Sequence, residues 1–233
     1  MCATHNTHSQ CDCNPTLTHT APVTLTLTLT ALGPLGIGHI MHGVALRRFA
    51  TLIHLDLTCC NISGEDTEVS LGLWGLRSAA QCGVLNLLVT LNLENNNLND
   101  QDGVFIVELL PQMPRLEELC LEDNCLQDTT AAALASFATR RIRPALKSLH
   151  LRDNFITWHG AEELNDVLLM NLFPALAVLT VGLNHISAVH MSILYDTRDT
   201  LRLHGQSMYI DFDAYDHNSD GVSDESGLYR VGW

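Results

Sequence analysis

Large aliphatic residues recur along this chain with one internal spacing, separated by longer stretches of mixed polarity. Three segments, which begin at Leu88, Leu116 and Leu146, match the pattern LxxLxLxxNxL without a gap: LVTLNLENNNL, LEELCLEDNCL and LKSLHLRDNFI. Two more segments match with one substitution each, LAVLTVGLNHI from Leu176 and LIHLDLTCCNI from Leu52. The alternation in LxL is typical of a short strand with one buried face. The pattern therefore predicts five strands, one in each segment.

The polar position near the end of the pattern is the second regular feature. Asparagine occupies it in four segments and cysteine in one, at Cys60, Asn96, Asn124, Asn154 and Asn184. Successive positions are 36, 28, 30 and 30 residues apart. An asparagine side chain both donates and accepts hydrogen bonds. Stacked units therefore predict a ladder of buried amides that bond to backbone groups of neighbouring turns.

The stretches between the strand segments have helical character. Residues 160–171 place Ala161, Leu164 and Val167 on one face, and residues 130–139 are rich in alanine. Two weaker units flank the five. Counting back 28 residues from Leu55 places a first strand at Leu27 and Leu29, followed by a helix over residues 36–48. Counting forward places a last strand at Ile210 and Phe212. The sequence thus predicts about seven repeats.

These segments resemble the leucine-rich-repeat family, and the long period resembles its ribonuclease-inhibitor-like subclass. The resemblance implies an α/β solenoid, with a curved parallel sheet inside and helices outside. It also implies a non-catalytic protein-protein interaction or scaffold module, one subunit of a larger assembly, for example an axonemal or organellar one. We expect the repeat domain to span residues 21–213, between an N-terminal lead or partial cap (1–20) and an acidic C-terminal tail (214–233).

Solvent-facing strand positions predict the binding surface, because the x residues of LxLxx line the concave side of such an array. The predicted partner-binding residues are Asp56, Asn92, Glu94, Glu118, Glu122, Asp123, His150, Arg152 and Asp153. The same rule places Cys120, Gly182, Asp211 and Asp213 on this face. Acidic residues dominate its middle, which predicts a protein partner with a basic surface.

The overall charge supports the same kind of partner. The chain has 26 acidic residues against 12 lysines and arginines, and its formal charge is −14. Nucleic acid and anionic membranes both attract basic surfaces, so neither is expected as a direct partner. Residues 31–46 are apolar but too short for a membrane span. We expect an intracellular protein, cytoplasmic or cytoskeletal and ciliary, because the start of the chain lacks a secretory signal pattern.

Two short stretches contain side chains that could bind metals. The first is HxxHxxCxC, formed by His5, His8, Cys11 and Cys13, with cysteines closer together than in most zinc sites. The second, Asp216 to Gly221, begins like a calcium-binding loop but has Gly227 where that loop needs glutamate. Neither pattern is complete. We therefore predict no metal and no cofactor, and whether either terminus binds an ion stays open.

Motifs for catalysis are missing from the sequence. It contains no GxSxG, GxxxxGK[ST], HExxH or GxGxxG segment. We therefore expect no enzymatic activity and no catalytic residue. The alternative is a GTPase-activating protein resembling the Ran-activating family, whose members use the same repeat subclass. That family has about eleven repeats and a long acidic tail, whereas this chain has about seven repeats and a short tail.

Overall fold

The computed structural model describes residues 23–26, 33–43, 52–63, 71–139 and 145–211. They form one sheet of seven strands, all parallel and in chain order. The strands are β1 (Val23–Thr26), β2 (Leu52–Asp56), β3 (Thr90–Asn92), β4 (Glu118–Cys120), β5 (Ser148–His150), β6 (Val178–Thr180) and β7 (Tyr209–Ile210). The predicted α/β solenoid with a parallel sheet is confirmed, and each of the five LxL segments supplies one strand.

A helix follows each of the first six strands. The helices are α1 (Gly33–Gly43), α2 (Leu71–Gln81), α3 (Asp100–Leu109), α4 (Asp128–Thr139), α5 (Trp158–Leu169) and α6 (Ala188–Leu203). Each helix contacts the next one in chain order, so they form one layer against one face of the sheet. Helices pack about 8–10 Å apart and strands about 4.8 Å apart. This mismatch curves the array, with the strands on the concave side.

Both aliphatic residues of each LxL pair are buried. The first residue of each pair stands opposite its equivalents on the neighbouring strands. Leu91 pairs with Leu55 on one side and with Leu119 on the other, and the row continues through Leu149 and Leu179. All of these leucines are buried against the helix layer in one continuous hydrophobic core. The single row explains why the spacing of the leucines alone predicts the register.

The first strand does not lie where counting back 28 residues placed it. Leu25, rather than Leu27, pairs with Leu55. Helix α1 likewise begins at Gly33, three residues before its predicted start. The sequence here alternates threonine and leucine over TLTLTLT, so a shift of two residues keeps the same face inward. Residues 27–32 lie outside the described part of the chain.

The asparagine positions form a continuous hydrogen-bonded column through the interior. Asn96, Asn124, Asn154 and Asn184 are buried, and so is Cys60. Asn124 Oδ1 accepts from the backbone N–H groups of Asn96 (3.0 Å) and Leu98 (2.9 Å) in the preceding repeat. Its amide nitrogen donates to three backbone carbonyls, those of Leu93, Leu121 and Glu122. One side chain thus satisfies five backbone groups from two repeats.

Two helices are capped at their N-termini by an aspartate of the preceding repeat. Asp100, the first residue of α3, accepts from the backbone N–H groups of Gln127 (2.9 Å) and Thr130 (2.8 Å) at the start of α4. Asp128, the first residue of α4, accepts in the same way from Thr157 (2.7 Å) and Gly160 (3.1 Å) at the start of α5. Negative charge at a helix N-terminus is stabilising, so each carboxylate fastens its own repeat to the next.

The cap formed by Asp100 predicts a loss of stability in acid. Burial raises the pKa of Asp100, but hydrogen bonds from Thr129, Thr130 and Gln127 outweigh burial, and the pKa lies below its ordinary value. Ionised Asp100 therefore contributes its full stability above the unfolded pKa, about 3.9. That contribution is lost as the pH falls through the lower folded pKa.

We expect the melting temperature of Asp100→Asn to lie below that of the wild type at pH 6, and the gap to narrow as the pH falls below about 4. Thermal melts followed by circular dichroism between pH 6 and pH 2.5 measure the gap. Glu108→Asn serves as a control, because Glu108 is an exposed acid of the same helix. A gap that stays constant over this range contradicts the role of the carboxylate.

Candidate functional site: the concave acidic face

The face of the sheet opposite the helices presents a regular grid of side chains. In one row, Asn92, Cys120, His150 and Thr180 stand opposite one another on adjacent strands. Two residues further along the chain, just past the ends of β3 and β4, Glu94 and Glu122 form the next row. Strands lie about 4.8 Å apart, so residues in one row are direct lateral neighbours. We call the acidic members of this grid the concave acidic face; they are Asp56, Glu94, Glu118, Glu122, Asp123 and Asp153.

The predicted site residues differ in how far they reach into solvent. Three of the acids are exposed: Glu118, Asp123 and Asp153. The remaining predicted residues are half-buried: Asp56, Asn92, Glu94, Glu122, His150 and Arg152. All nine therefore lie on one continuous surface of the sheet and the turns that follow it. The structure brings them together but holds no partner.

Crowding of the carboxylates has a measurable electrostatic consequence at Glu94. Its pKa is raised by partial burial and then by the negative charges of Glu122, Asp123 and Asp56, while a hydrogen bond with Asn92 opposes the shift. Like charges at lateral positions repel one another when both are ionised. A positive charge placed against this face would therefore reduce the repulsion between its carboxylates.

The two basic residues among the predicted site residues, His150 and Arg152, both lie against carboxylates. The imidazole of His150 lies between two carboxylates, 3.6 Å from Glu122 Oε1 and 3.9 Å from Glu118 Oε1. Arg152 Nη1 lies 3.2 Å from Asp211 Oδ2 and is paired with it. The positive charge of Arg152 is thus offset by an acid outside the concave acidic face. The middle of the face stays negative.

The turn after each strand sets the direction of two of the exposed acids. Asp123 and Asp153 have positive φ angles, 52° and 54°, and Asn95 has 52° at the same position of its repeat. Aspartate and asparagine tolerate this left-handed conformation better than most residues. The local backbone therefore favours an acid or amide here without requiring one, since Cys59 (56°) and Leu183 (53°) take the same conformation in other repeats.

Three positions that the alternation rule placed on the exposed face are buried, and that expectation was wrong. They are Cys120, Gly182 and Asp211. Asp211 turns back onto the sheet, and its Oδ1 accepts from the backbone N–H groups of Val181 (2.6 Å) and Gly182 (2.8 Å). It thereby takes the place that a backbone carbonyl occupies in the earlier repeats. Alternation predicts which face of the sheet a residue lies on, but it does not predict whether neighbouring side chains cover that residue.

Cys120 is enclosed although it belongs to this face, with 8% of its surface exposed. Burial raises the pKa of its thiol to about 12, and the charges of Glu122, Glu94 and Glu118 add to the effect, while the Glu122 N–H opposes it. Its sulfur and one carboxylate oxygen each of Glu94 and Glu122 all lie within 4.8 Å of one another. The repeat pattern did not predict this grouping, although Cys120 and Glu122 stand two residues apart, the spacing at which extended residues share a face.

Several expectations fall outside the described part of the chain. They are the His5–Cys13 stretch, the acidic tail with its calcium-loop-like segment, Phe212 and Asp213. The proposed domain boundaries at residues 20 and 213 likewise fall there. Among the helices that the structure does describe, none has both the length and the apolarity that crossing a membrane requires.

No model of a known protein family and no curated protein matches this sequence. Among solved structures, the chain is similar to a leucine-rich-repeat protein of Leptospira interrogans, with 16% sequence identity and a TM-score of 0.37. The similarity covers 72% of this chain and 44% of that one. The fold is a leucine-rich-repeat solenoid. This assignment rests on the repeated strands, the parallel sheet and the asparagine column described above.

Proposed function

We propose that this protein is a non-catalytic protein-binding module that takes a basic partner on its concave acidic face. The observation that carries the proposal is six acidic side chains on one open surface, whose only arginine is already paired with Asp211. We further infer that its repeats belong to the ribonuclease-inhibitor-like subclass, since a period near 30 residues leaves room for the helices of 10–16 residues seen here.

Electrostatics favours a partner rich in arginine or lysine. Burying Glu94 and Glu122 under a neutral surface would remove solvent from two neighbouring carboxylates and strengthen their repulsion. A guanidinium group can donate hydrogen bonds to both carboxylates and offset that cost. Complementary charge also speeds association at low salt. A basic protein surface satisfies both conditions.

The shape of the site supports a protein rather than a small molecule. Stacked repeats offer an extended concave sheet on which a partner can make contacts over several strands. The acids span from Asp56 at the end of β2 to Asp153 after β5, and therefore across four adjacent strands. At about 4.8 Å for each strand step, this width suits a segment or a domain surface of another chain.

The setting that we propose is an intracellular assembly, cytoplasmic or cytoskeletal and ciliary, of which this chain is one subunit. Cys59, Cys120 and Cys125 carry thiols that form no disulfide. Free thiols are typical of reducing compartments. A GTPase-activating role is the alternative, and it predicts that the chain accelerates GTP hydrolysis by its partner, whereas our proposal predicts binding alone.

Charge neutralisation on the face is the direct test. We expect the triple variant Glu118→Gln, Asp123→Asn and Asp153→Asn to bind a fluorescein-labelled oligoarginine peptide at least about tenfold more weakly than the wild type at low salt, because three attractive charges are removed. The expected weakening shrinks at high salt as screening increases. Fluorescence anisotropy at two salt concentrations measures both effects. The asparagines suit the left-handed backbone at 123 and 153.

A control variant removes the same number of charges from the helix layer: Glu108→Gln, Glu162→Gln and Glu163→Gln, all exposed. We expect this variant to retain wild-type affinity. Circular dichroism confirms that both variants fold. If the two variants lose the same amount of affinity, binding follows net charge alone, and the concave acidic face is not the docking site.

A further inference from the structure

We propose that the centre of the concave acidic face binds one divalent transition-metal ion of the zinc class, through Cys120, Glu94, Glu122 and His150. This inference goes beyond the proposed partner binding and does not depend on it. The grouping is a mixed set of sulfur, oxygen and nitrogen donors drawn from three adjacent repeats. Three of these residues, Cys120, Glu94 and Glu122, form the only group of potential metal ligands with converging atoms among the described residues.

The geometry brings three donor atoms nearly to bonding positions. The Cys120 sulfur and one carboxylate oxygen each of Glu94 and Glu122 lie within 4.8 Å of one another. In a tetrahedral zinc site, with bonds of about 2.0–2.3 Å, neighbouring ligand atoms stand about 3.3–3.8 Å apart. Each pair of these atoms therefore needs to close by at most about 1–1.5 Å. Two of them belong to glutamate side chains; of these, Glu122 already accepts a hydrogen bond from the Thr180 hydroxyl at 2.8 Å, which metal binding would have to replace or share.

His150, on the next strand, lies just outside this group and would supply the fourth donor by moving toward it. It stands opposite Cys120 in the register between β4 and β5. Its Nδ1 lies 3.6 Å from Glu122 Oε1, so the imidazole already borders the carboxylate that would share the ion. With sulfur, two oxygens and this nitrogen, the site reaches the four ligands that zinc prefers.

The backbone directs one hydrogen-bond donor at the Cys120 sulfur. The N–H of Glu122 donates toward the Cys120 sulfur. In the two preceding repeats the equivalent N–H groups donate to side-chain oxygens: Glu94 N to Asn92 Oδ1 at 2.9 Å, and Thr58 N to Asp56 Oδ1 at 3.1 Å. The sulfur thus occupies a position that the fold furnishes for an acceptor. Cys120 is also held on a central strand, paired on both sides.

Donor chemistry selects the class of ion. Hard ions such as Mg²⁺ and Ca²⁺ take oxygen ligands and avoid sulfur. Thiolate together with imidazole and carboxylate suits zinc and, as its spectroscopic substitute, cobalt. A dication would also offset the repulsion between Glu94 and Glu122. Binding releases the thiol proton to solvent, because the metal ligand is the thiolate.

Cobalt absorption tests the site directly. The full chain, reduced and then freed of reductant under argon, is titrated with Co²⁺ alone, and Zn²⁺ is added afterwards as a competitor. We expect one equivalent of cobalt to produce a thiolate-to-cobalt charge-transfer band in the near ultraviolet, which zinc then abolishes. We expect Cys120→Ser to lose the band. Glu122→Gln should keep the sulfur contact but weaken cobalt binding at least about tenfold, a typical loss for a damaged metal site.

Two controls separate this site from other cysteines. Cys125→Ser removes a nearby thiol outside the group and should keep the band. The double variant Cys11→Ser and Cys13→Ser should keep it as well, because it alters only the N-terminal stretch. A band that survives in Cys120→Ser, or that disappears in the double variant, overturns the proposal. Circular dichroism establishes folding, and Glu122→Gln provides an independent reading if Cys120→Ser does not fold.

The outcome is separable from that of the partner experiment. The triple variant at Glu118, Asp123 and Asp153 leaves all four proposed ligands in place, so it should bind cobalt like the wild type. Conversely, metal binding is measured with no peptide present. Failure of one experiment therefore leaves the other proposal standing on its own evidence.

Discussion

We expect Leu149→Ala to lower the free energy of unfolding by about 2–5 kcal/mol, the range for truncating a buried leucine. Leu149 is 1% exposed and stands in the middle of β5, between Leu119 and Leu179. Its side chain faces the helix layer within the continuous core. The strands on either side are fixed by their own pairing, so the cavity cannot close easily, and the loss should lie toward the upper end of the range.

Urea denaturation followed by circular dichroism measures this loss. Leu169→Ala is the matched control, since it removes the same atoms from a leucine that is 52% exposed at the end of α5. We expect the control to change stability by less than about 0.5 kcal/mol. Equal losses in the two variants would show that Leu149 is not held in the core.

Asn124→Leu should be the second large perturbation. The side chain is 5% exposed and makes hydrogen bonds to five backbone groups. Leucine is similar in size but can satisfy none of them. Each buried polar group left unpaired costs about 1–3 kcal/mol, and neighbouring atoms will relax around some of them. We therefore expect a loss of about 3 kcal/mol or more in the free energy of unfolding.

A cysteine at the same position gives a graded comparison. Cys60 occupies the equivalent position in the second repeat, and its sulfur donates to the carbonyl of Thr58 at 3.6 Å. We therefore expect Asn124→Cys to be less destabilising than Asn124→Leu in the same urea titration. If the two substitutions cost the same, or if neither changes the midpoint, the hydrogen bonds of the column contribute little to stability.

The sequence predicts most of this fold because one pattern carries three constraints at once. The leucines set the buried face, the alternation sets the strand, and the asparagine sets the turn, so a shift by one residue violates all three. The first strand lacks the asparagine, and its uninterrupted Thr-Leu alternation is compatible with several registers. That is why Leu27 was predicted opposite Leu55 where the structure has Leu25.

The candidate site could be predicted only in outline. Alternation identifies which side chains share the concave face, and the strand order places them on adjacent strands. It does not reveal that Cys120 is enclosed or that Asp211 folds back to the N–H groups of Val181 and Gly182. Both depend on the lengths and conformations of neighbouring side chains, and the repeat pattern does not specify these.

The aspartates that cap the helices bear on how this protein could be shortened, extended or recombined. Asp100 belongs to one repeat but supplies the acceptor for α4, and Asp128 stands in the same relation to α5. A repeat excised at its strand boundaries would lose the aspartate that caps its helix. It would also carry an aspartate whose own hydrogen-bond donors lie in the next repeat. The exchangeable module of this array therefore runs from a capping aspartate to the helix start that it serves, across the seam between two repeats.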